Sequence, residues 1–306
     1  MIVKQLSRHF PARSVVVYHP TSASEKHRYY FDQLEVGKKY FVPLRPVRVS
    51  DTISDALVWW RIPRDVRDAR YDVLFIASIG SISFSQFAAR NPRAVIHTFD
   101  DGSFNLAAAT YADWIHGEPI MRRVVKCLVG GLNNPGIVAR ASLHHTIFPR
   151  KLVVGVQTEI DELVLFTRHS YFHADGLGRK VRVLLGSWFA DTTLQSRHDA
   201  LVRSGKFDVF LPHPADSRSA LMASHIRVDA GLIDLGRMVA EDVVAGLVKS
   251  GYRVVVYGFN STALINLAHF VPALSIVLEP YLETIPCRVM NELGVRQLVC
   301  HGLNAE

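Results

Sequence analysis

A chain of 306 residues with 49% apolar and 21% charged side chains is too apolar for disorder and long enough for two domains of ~150 residues each. Its three cysteines, Cys127, Cys287 and Cys300, are widely spaced and form no CxxC or Cys/His cluster, which excludes a disulfide scaffold and a structural zinc site and fits a reducing compartment. The net charge of +7 favours anionic partners (nucleotides, phosphorylated glycans, lipid headgroups), but no arginine-rich tail, RNP pattern or zinc finger is present, so nucleic acid is not expected.

After a short basic start without the apolar core of a signal peptide, Ser14–Tyr18 reads as a strand. Ser22–Gln33 is helical toward its end, and Lys39–Val42 is the next strand. Ser50–Asp68 carries the apolar spacing of a helix on a sheet, stopped by Pro63. Asp72–Ala77 is a buried strand, Ser83–Arg90 a helix, and Ala94–Phe99 a strand ending in Asp100-Asp101-Gly102. Ile120–Val129 looks helical and is broken by the glycines of GGLNNPG. Residues 151–179 read as a connection between a first α/β domain, 1–150, and a second, 180–306. The second runs strand Val181–Leu185, helix Thr192–Ser204, strand Phe207–Leu211, helix Asp234–Val248, strand Arg253–Tyr257, helix Thr262–Ala268 and strand Leu274–Leu278. That alternation is a doubly wound parallel sheet. No apolar run reaches the ~18–20 residues of a membrane span. A cytoplasmic protein is expected, with any peripheral membrane contact made through basic and aromatic surface.

The most loaded stretch is Lys180–Pro214. Its two strands end in Gly186-Ser187, followed by Asp191, and in Pro212-His213-Pro214. Ligands sit at the carboxyl ends of parallel strands, so Asp191 and His213 are an acid/base pair in waiting. The competing reading is two ordinary loops, with Asp191 capping a helix and His213 on the surface. Asn260-Ser261-Thr262 opens a helix after a strand, which suits either a phosphate or plain N-capping. Asp100-Asp101-Gly102 offers a base, a metal site or a turn, the turn being the commonest outcome. Glu241-Asp242 has a solvated helix face as its bland alternative. His144-His145 lacks a carboxylate at metal spacing and reads as core or surface histidine. GxGxxG and Walker sequences are absent.

In combination, SEKHRYYFDQL, LFIASIGSISFSQF, HTFDDGSFNL, HHTIF, VRVLLGS, LPHP and VYGFNSTAL resemble the bacterial lipooligosaccharide sialyltransferases of the Neisseria type. The resemblance covers most of the chain. It implies an α/β, GT-B-like fold: two Rossmann-like domains, the first on the acceptor side and the second binding the nucleotide sugar, with the active site in the interdomain cleft. It further implies inverting transfer of sialic acid from CMP-sialic acid to a terminal galactose, without a metal or other cofactor, in a homodimer. Asp191 matches the family's general base, and no other acidic residue lies between Ser187 and Asp199. His213 matches the general acid, or the donor to the leaving phosphate. Gly186, Ser187, Pro214, Glu241, Tyr257, Phe259, Asn260, Ser261 and Thr262 fall at donor-binding positions. Asp100, Asp101 and Gly102 remain an acceptor-side motif and a rival source of the base.

Three departures stand out. The family's opening strand and most of its first helix have no counterpart ahead of Gln5–Pro11. Ala215 stands where an arginine commonly follows the HP motif, with Arg218 nearby. No membrane anchor is evident. A GT-B transferase with another nucleotide-sugar donor, and a glycan- or nucleotide-binding paralogue without turnover, remain the alternatives.

Overall fold

The computed structural model describes residues 3, 6, 14–20, 25–43, 51–100, 106, 115–153, 156, 158–162, 178–187, 189, 191–213, 238–259, 261–268, 271–278 and 287–300. The chain divides into two compact units: Met1–Ala23 with Tyr30–Leu165, and Ser24–Tyr29 with Phe166–Glu306. Both are α/β with parallel sheets, as expected. The division falls inside the stretch 151–179 read as the connection, and Ser24–Tyr29 groups with the second unit although the sequence reading placed it in the first.

Unit 1 begins with two parallel strands, β1 (Val15–Tyr18) and β2 (Lys38–Phe41); helix α1 (Glu25–Asp32) lies between them in the chain, its residues through Tyr29 grouping with unit 2. Phe31 packs between Tyr18 and Phe41. Lys39 Nζ donates to the carbonyls of Asp32 (2.7 Å) and Leu34 (3.1 Å), satisfying acceptors that the end of α1 leaves open. The helix expected to stop at Pro63 is α2 (Asp51–Arg61), and a second, short helix, α3 (Arg64–Arg67), follows the proline. Pro63 has no N–H to continue the first ladder and instead starts the second.

Four parallel strands follow in the order β3 (Val73–Ile76), β4 (Val95–Phe99), β5 (Ala141–Thr146) and β6 (Glu159–Glu162). Helix α4 (Ile82–Arg90) joins β3 to β4, while α5 (Ile120–Leu128) and α6 (Asn134–Arg140) precede β5. The GGLNNPG stretch therefore starts a helix as well as ending one. Asn133 Oδ1 accepts the Gly136 N–H at 2.8 Å, and Pro135 sits in the first turn, where its missing N–H costs nothing. Asp55 of α2 accepts from Ser81 Oγ and Ile82 N at the start of α4 and pairs with Arg122 of α5, so one carboxylate ties three helices together. Ile76, Ile79, Ala88, Ile96 and Ile137 fill the core between sheet and helices, and Val58, Trp59, Ile62 and Phe87 fill a second cluster.

Unit 2 contains β7 (Lys180–Leu185), α7 (Thr192–Arg203), β8 (Val209–Leu211), α8 (Ala240–Lys249), β9 (Arg253–Gly258), α9 (Thr262–Ala268), β10 (Ala273–Leu278), α10 (Cys287–Glu292) and β11 (Val295–Cys300). All five strands are parallel in the order β11-β10-β9-β7-β8, so the chain reverses direction across the sheet between β7 and β9. Beta-8 starts later than the expected Phe207: Asp208 N–H still donates to the Arg182 carbonyl (2.9 Å), but the Arg182 N–H goes to the Asp208 carboxylate (2.8 Å) and not to a strand carbonyl. Among the described residues, no helix is long and apolar enough to cross a membrane.

The polar centre of unit 1 is a buried ion pair. Lys126 Nζ lies 2.6 Å from Glu118, both side chains being 2% exposed or less, and also donates to Asn134 Oδ1 (2.6 Å) and the Ile79 carbonyl (3.2 Å). Burial pulls the Lys126 ammonium below its ordinary range, and Glu118 pushes back. Removing one partner leaves the other charge uncompensated in a dry site. Glu118→Ala is expected to lower the urea-unfolding free energy by about 3–5 kcal/mol, and Glu118→Leu with Lys126→Met to recover part of that loss. A single variant as stable as the wild type would show that water reaches the pair.

Candidate active site

Three adjacent strand ends of unit 2 carry most of the residues singled out in the sequence. In the β7–β8 register Leu185 faces Leu211, and in the β7–β9 register Leu184 faces Tyr257. The turns after β8, β7 and β9 consequently emerge side by side at the carboxyl edge. Gly186 donates its N–H to the Leu211 carbonyl at 2.7 Å. A Cβ on Gly186 would lie 2.8 Å from His213 N and 3.1 Å from the Leu211 carbonyl oxygen, so the two turns touch where only glycine fits. His213 is exposed just beyond β8.

Asp191 is also exposed and serves as the N-cap of α7. Its Oδ1 accepts the Leu194 N–H at 2.9 Å. The capping role named as the alternative for this residue is thus present. Oδ2 makes no bond among the described residues and remains able to take a proton. Beneath the turn, Phe189 meets Phe259 edge-on, with centroids 5.4 Å apart, in a cluster with Leu184, Val202, Phe210 and Ile276. Phe259 is therefore a buried link between the β7 and β9 turns.

On the side of β9, Tyr257 is half-buried against Phe207, and Ser261 Oγ accepts the Leu264 N–H (3.2 Å), the plain capping alternative. Thr262 is the first residue of α9. Glu241 does not lie on a solvated face. It is buried in the first turn of α8 and accepts from Asn266 Nδ2 at 2.9 Å. Lys26, from the stretch of early chain that groups with this unit, is drawn below its ordinary range by burial and pushed back up by the Glu241 charge. Burial likewise lowers its neighbour His27. Pro214 and Asn260 lie outside the described residues.

The sequence reading missed a polar face of α7. Gln195 Oε1 accepts the Phe189 N–H (3.1 Å), and Gln195 Nε2 donates to Asp199 Oδ1 (3.0 Å). His198, fully buried, has Nδ1 3.1 Å from Asp199 Oδ1 and Nε2 3.4 Å from the Ser187 N–H. The available signal was the spacing i, i+3, i+4, which places all three on one helix face.

In unit 1 the Asp100 side chain is sealed from solvent. Its Oδ2 accepts from Thr146 Oγ1 (2.8 Å) and Ile147 N (2.7 Å), and its Oδ1 lies 3.2 Å from His144 Nε2. His144 Nδ1 meets Thr98 Oγ1 at 2.8 Å. His145 bridges His97 (3.1 Å) and Asp161 (2.7 Å). The histidine pair is core, one member on each side of β5. Asp101 and Gly102 lie outside the described residues, and among those described no three His, Cys, Asp or Glu side chains cluster as a metal site.

The model of glycosyltransferase family 52 matches residues 11–278, and the chain belongs to that family. It is 24% identical over 221 residues to an N-acetyllactosaminide alpha-2,3-sialyltransferase of Neisseria meningitidis serogroup A. That match covers 68% of this chain and 58% of the relative, so the similarity spans little more than half of the relative's length. Among solved structures, the crystal structure of Acinetobacter baumannii MurG aligns at a TM-score of 0.45 and 11% identity, over 97% of this chain and 80% of that one.

Two outcomes follow from this geometry. Gly186→Ala must displace the backbone at His213, and overpacking of this kind costs about 1–3 kcal/mol. Thermal unfolding should register it, and a wild-type melting temperature would show that the turns are not in contact. His97 is held below its ordinary 6.5 by burial and by His145, with Asp161 opposing. Its neutral form is therefore preferred on folding. The associated stability is present above the unfolded value and is lost as pH falls through it toward the lower folded value. His97→Phe should flatten the acid limb of unit 1 stability, read by urea unfolding at pH 5 and 7.5.

Proposed function

We propose that this member of glycosyltransferase family 52 transfers sialic acid from CMP-sialic acid to a terminal galactose of a lipooligosaccharide or capsule-type glycan, with inversion. The observation that carries the reading is the placement of an exposed carboxylate, Asp191, and an exposed imidazole, His213, on the abutting ends of β7 and β8. This pair lies beside the switch between β7 and β9, where doubly wound sheets bind nucleotides. The family match and the sialyltransferase relative support the choice of donor.

Asp191 Oδ2 takes the proton of the acceptor hydroxyl as its oxygen bonds to the anomeric carbon. The bond from that carbon to the phosphate oxygen breaks, and His213 donates to the leaving CMP. Donor contacts are assigned to the Gly186–Ser187 turn, to Glu241 and Tyr257, and to the turn from Phe259 to Thr262. No metal is assigned a role. Asp100 is the weaker candidate for the base because its buried carboxylate already accepts from Thr146 and Ile147. Contact with a membrane surface and a homodimeric state belong to the same proposal.

The test is mass spectrometry of the products from CMP-sialic acid and a lactose-type acceptor. Asn caps a helix as well as Asp does but cannot take the proton. Asp191→Asn should therefore lower turnover by about 10²-fold or more while CMP affinity and thermal stability stay at wild-type values. Turnover retained in Asp191→Asn would move the base to Asp100 or Asp101. Equal or tighter binding of UMP than CMP would overturn the sialyl donor.

A further inference from the structure

We propose that Gln195, His198 and Asp199 form a positioning clamp that holds the backbone N–H groups of Ser187 and Phe189 after β7, with His198 as its central member. The argument begins with the tautomer. His198 Nδ1 lies 3.1 Å from the Asp199 carboxylate, which only accepts, and 3.2 Å from Gln195 Nε2, while the Ser187 N–H is aimed at Nε2; a donor at Nε2 leaves the proton on Nδ1. Nε2 is then a bare acceptor, and it faces the Ser187 N–H. The same Asp199 oxygen receives Gln195 Nε2 at 3.0 Å, which turns Gln195 Oε1 onto the Phe189 N–H at 3.1 Å. One carboxylate thereby orients two acceptors, and the two acceptors hold two backbone donors of the turn. The imidazole is 0% exposed and ringed by Phe189, Phe210 and Phe259, with centroids 5.5–6.0 Å away, so water does not compete for its bonds.

The turn held in this way connects Gly186, which abuts His213, to Asp191, which caps the same helix that carries the clamp. Helix α7 therefore presents the proposed base at its first turn and sets the approach to it from its second. None of the three residues touches the reacting atoms. The proposal rests on the preceding functional reading only for the reaction in which its effect is measured.

The decisive comparison is His198→Phe against His198→Gln. Phe keeps the ring packing and loses both polar contacts, whereas the Gln side chain places Oε1 near the position of Nε2. Hydrogen exchange of the 186–191 segment, kcat and KM for sialyl transfer, and thermal stability are read together. In His198→Phe, kcat should fall about tenfold with the acceptor KM within about twofold, and exchange at Ser187 should quicken. His198→Gln should restore both. A Phe variant with wild-type kcat and protection, or a Gln variant no better than Phe, overturns the proposal. If His198→Phe does not fold, Gln195→Met decides: faster exchange at Phe189 with lowered kcat supports the clamp, and neither change refutes it. If the wild type transfers no sialic acid, the functional reading fails, while protection at Ser187 and Phe189 still decides the clamp. If Asp191→Asn retains turnover, only the choice of base fails.

Discussion

The register of β7 against its two neighbours is the constraint on which unit 2 depends. Val181, Val183, Leu184 and Leu185 are all buried, as expected of a central parallel strand covered on both faces. Leu185 faces Leu211 on one side while Leu184 faces Tyr257 on the other, which brings three turns to a common level. A slip of one residue would exchange the two faces of the strand and put a side chain where Gly186 meets the His213 backbone. Strand packing and the placement of chemical groups are therefore a single problem, settled by apolar burial that has no chemistry of its own.

Polar groups in both units hold the exits of buried strands. Asp100 follows β4 and receives donors from the end of β5, tying two neighbouring strand ends together. Asp199 works from a helix onto the exit of β7. In each case one carboxylate gathers several donors, an arrangement that is strong when complete and costly when one member is missing. The contrast between Asp100 and Asp191 follows from this. Asp100 is committed on both oxygens to the fold, whereas Asp191 spends one oxygen on a helix cap and keeps the other.

Much of the fold was legible because its strands are short apolar runs and its helices are periodic. Val181–Leu185 and Arg253–Tyr257 fall within β7 and β9 almost residue for residue. The strands that were not legible are those whose residues look wrong for a core. Beta-5 reads ASLHHT and β6 reads EIDE, and they are strands because His144 and His145 find partners across the sheet. Alpha-6 was hidden by the glycines around its cap. The final pair, α10 and β11, went unread.

At the site, the places of Asp191 and His213 after strands were legible, as was the Gly186 turn that ends β7. The clamp was not, because a glutamine, a histidine and an aspartate on a helix read as a wetted surface until the turn they face is known. The solvated-face alternative for Glu241 stayed open for the same reason, since only the partner Asn266 reveals that its face points inward.

Unit 2 is discontinuous along the chain, because Ser24–Tyr29 belongs with residues 166–306. During synthesis the ribosome releases that strip long before the sheet it joins exists, so the unit closes only after its last piece meets its first. No single cut in the gene separates the two halves intact. A C-terminal fragment started at any point after Tyr29 would lack Lys26, which lies within reach of the Glu241 charge, and would leave unit 2 without part of its chain.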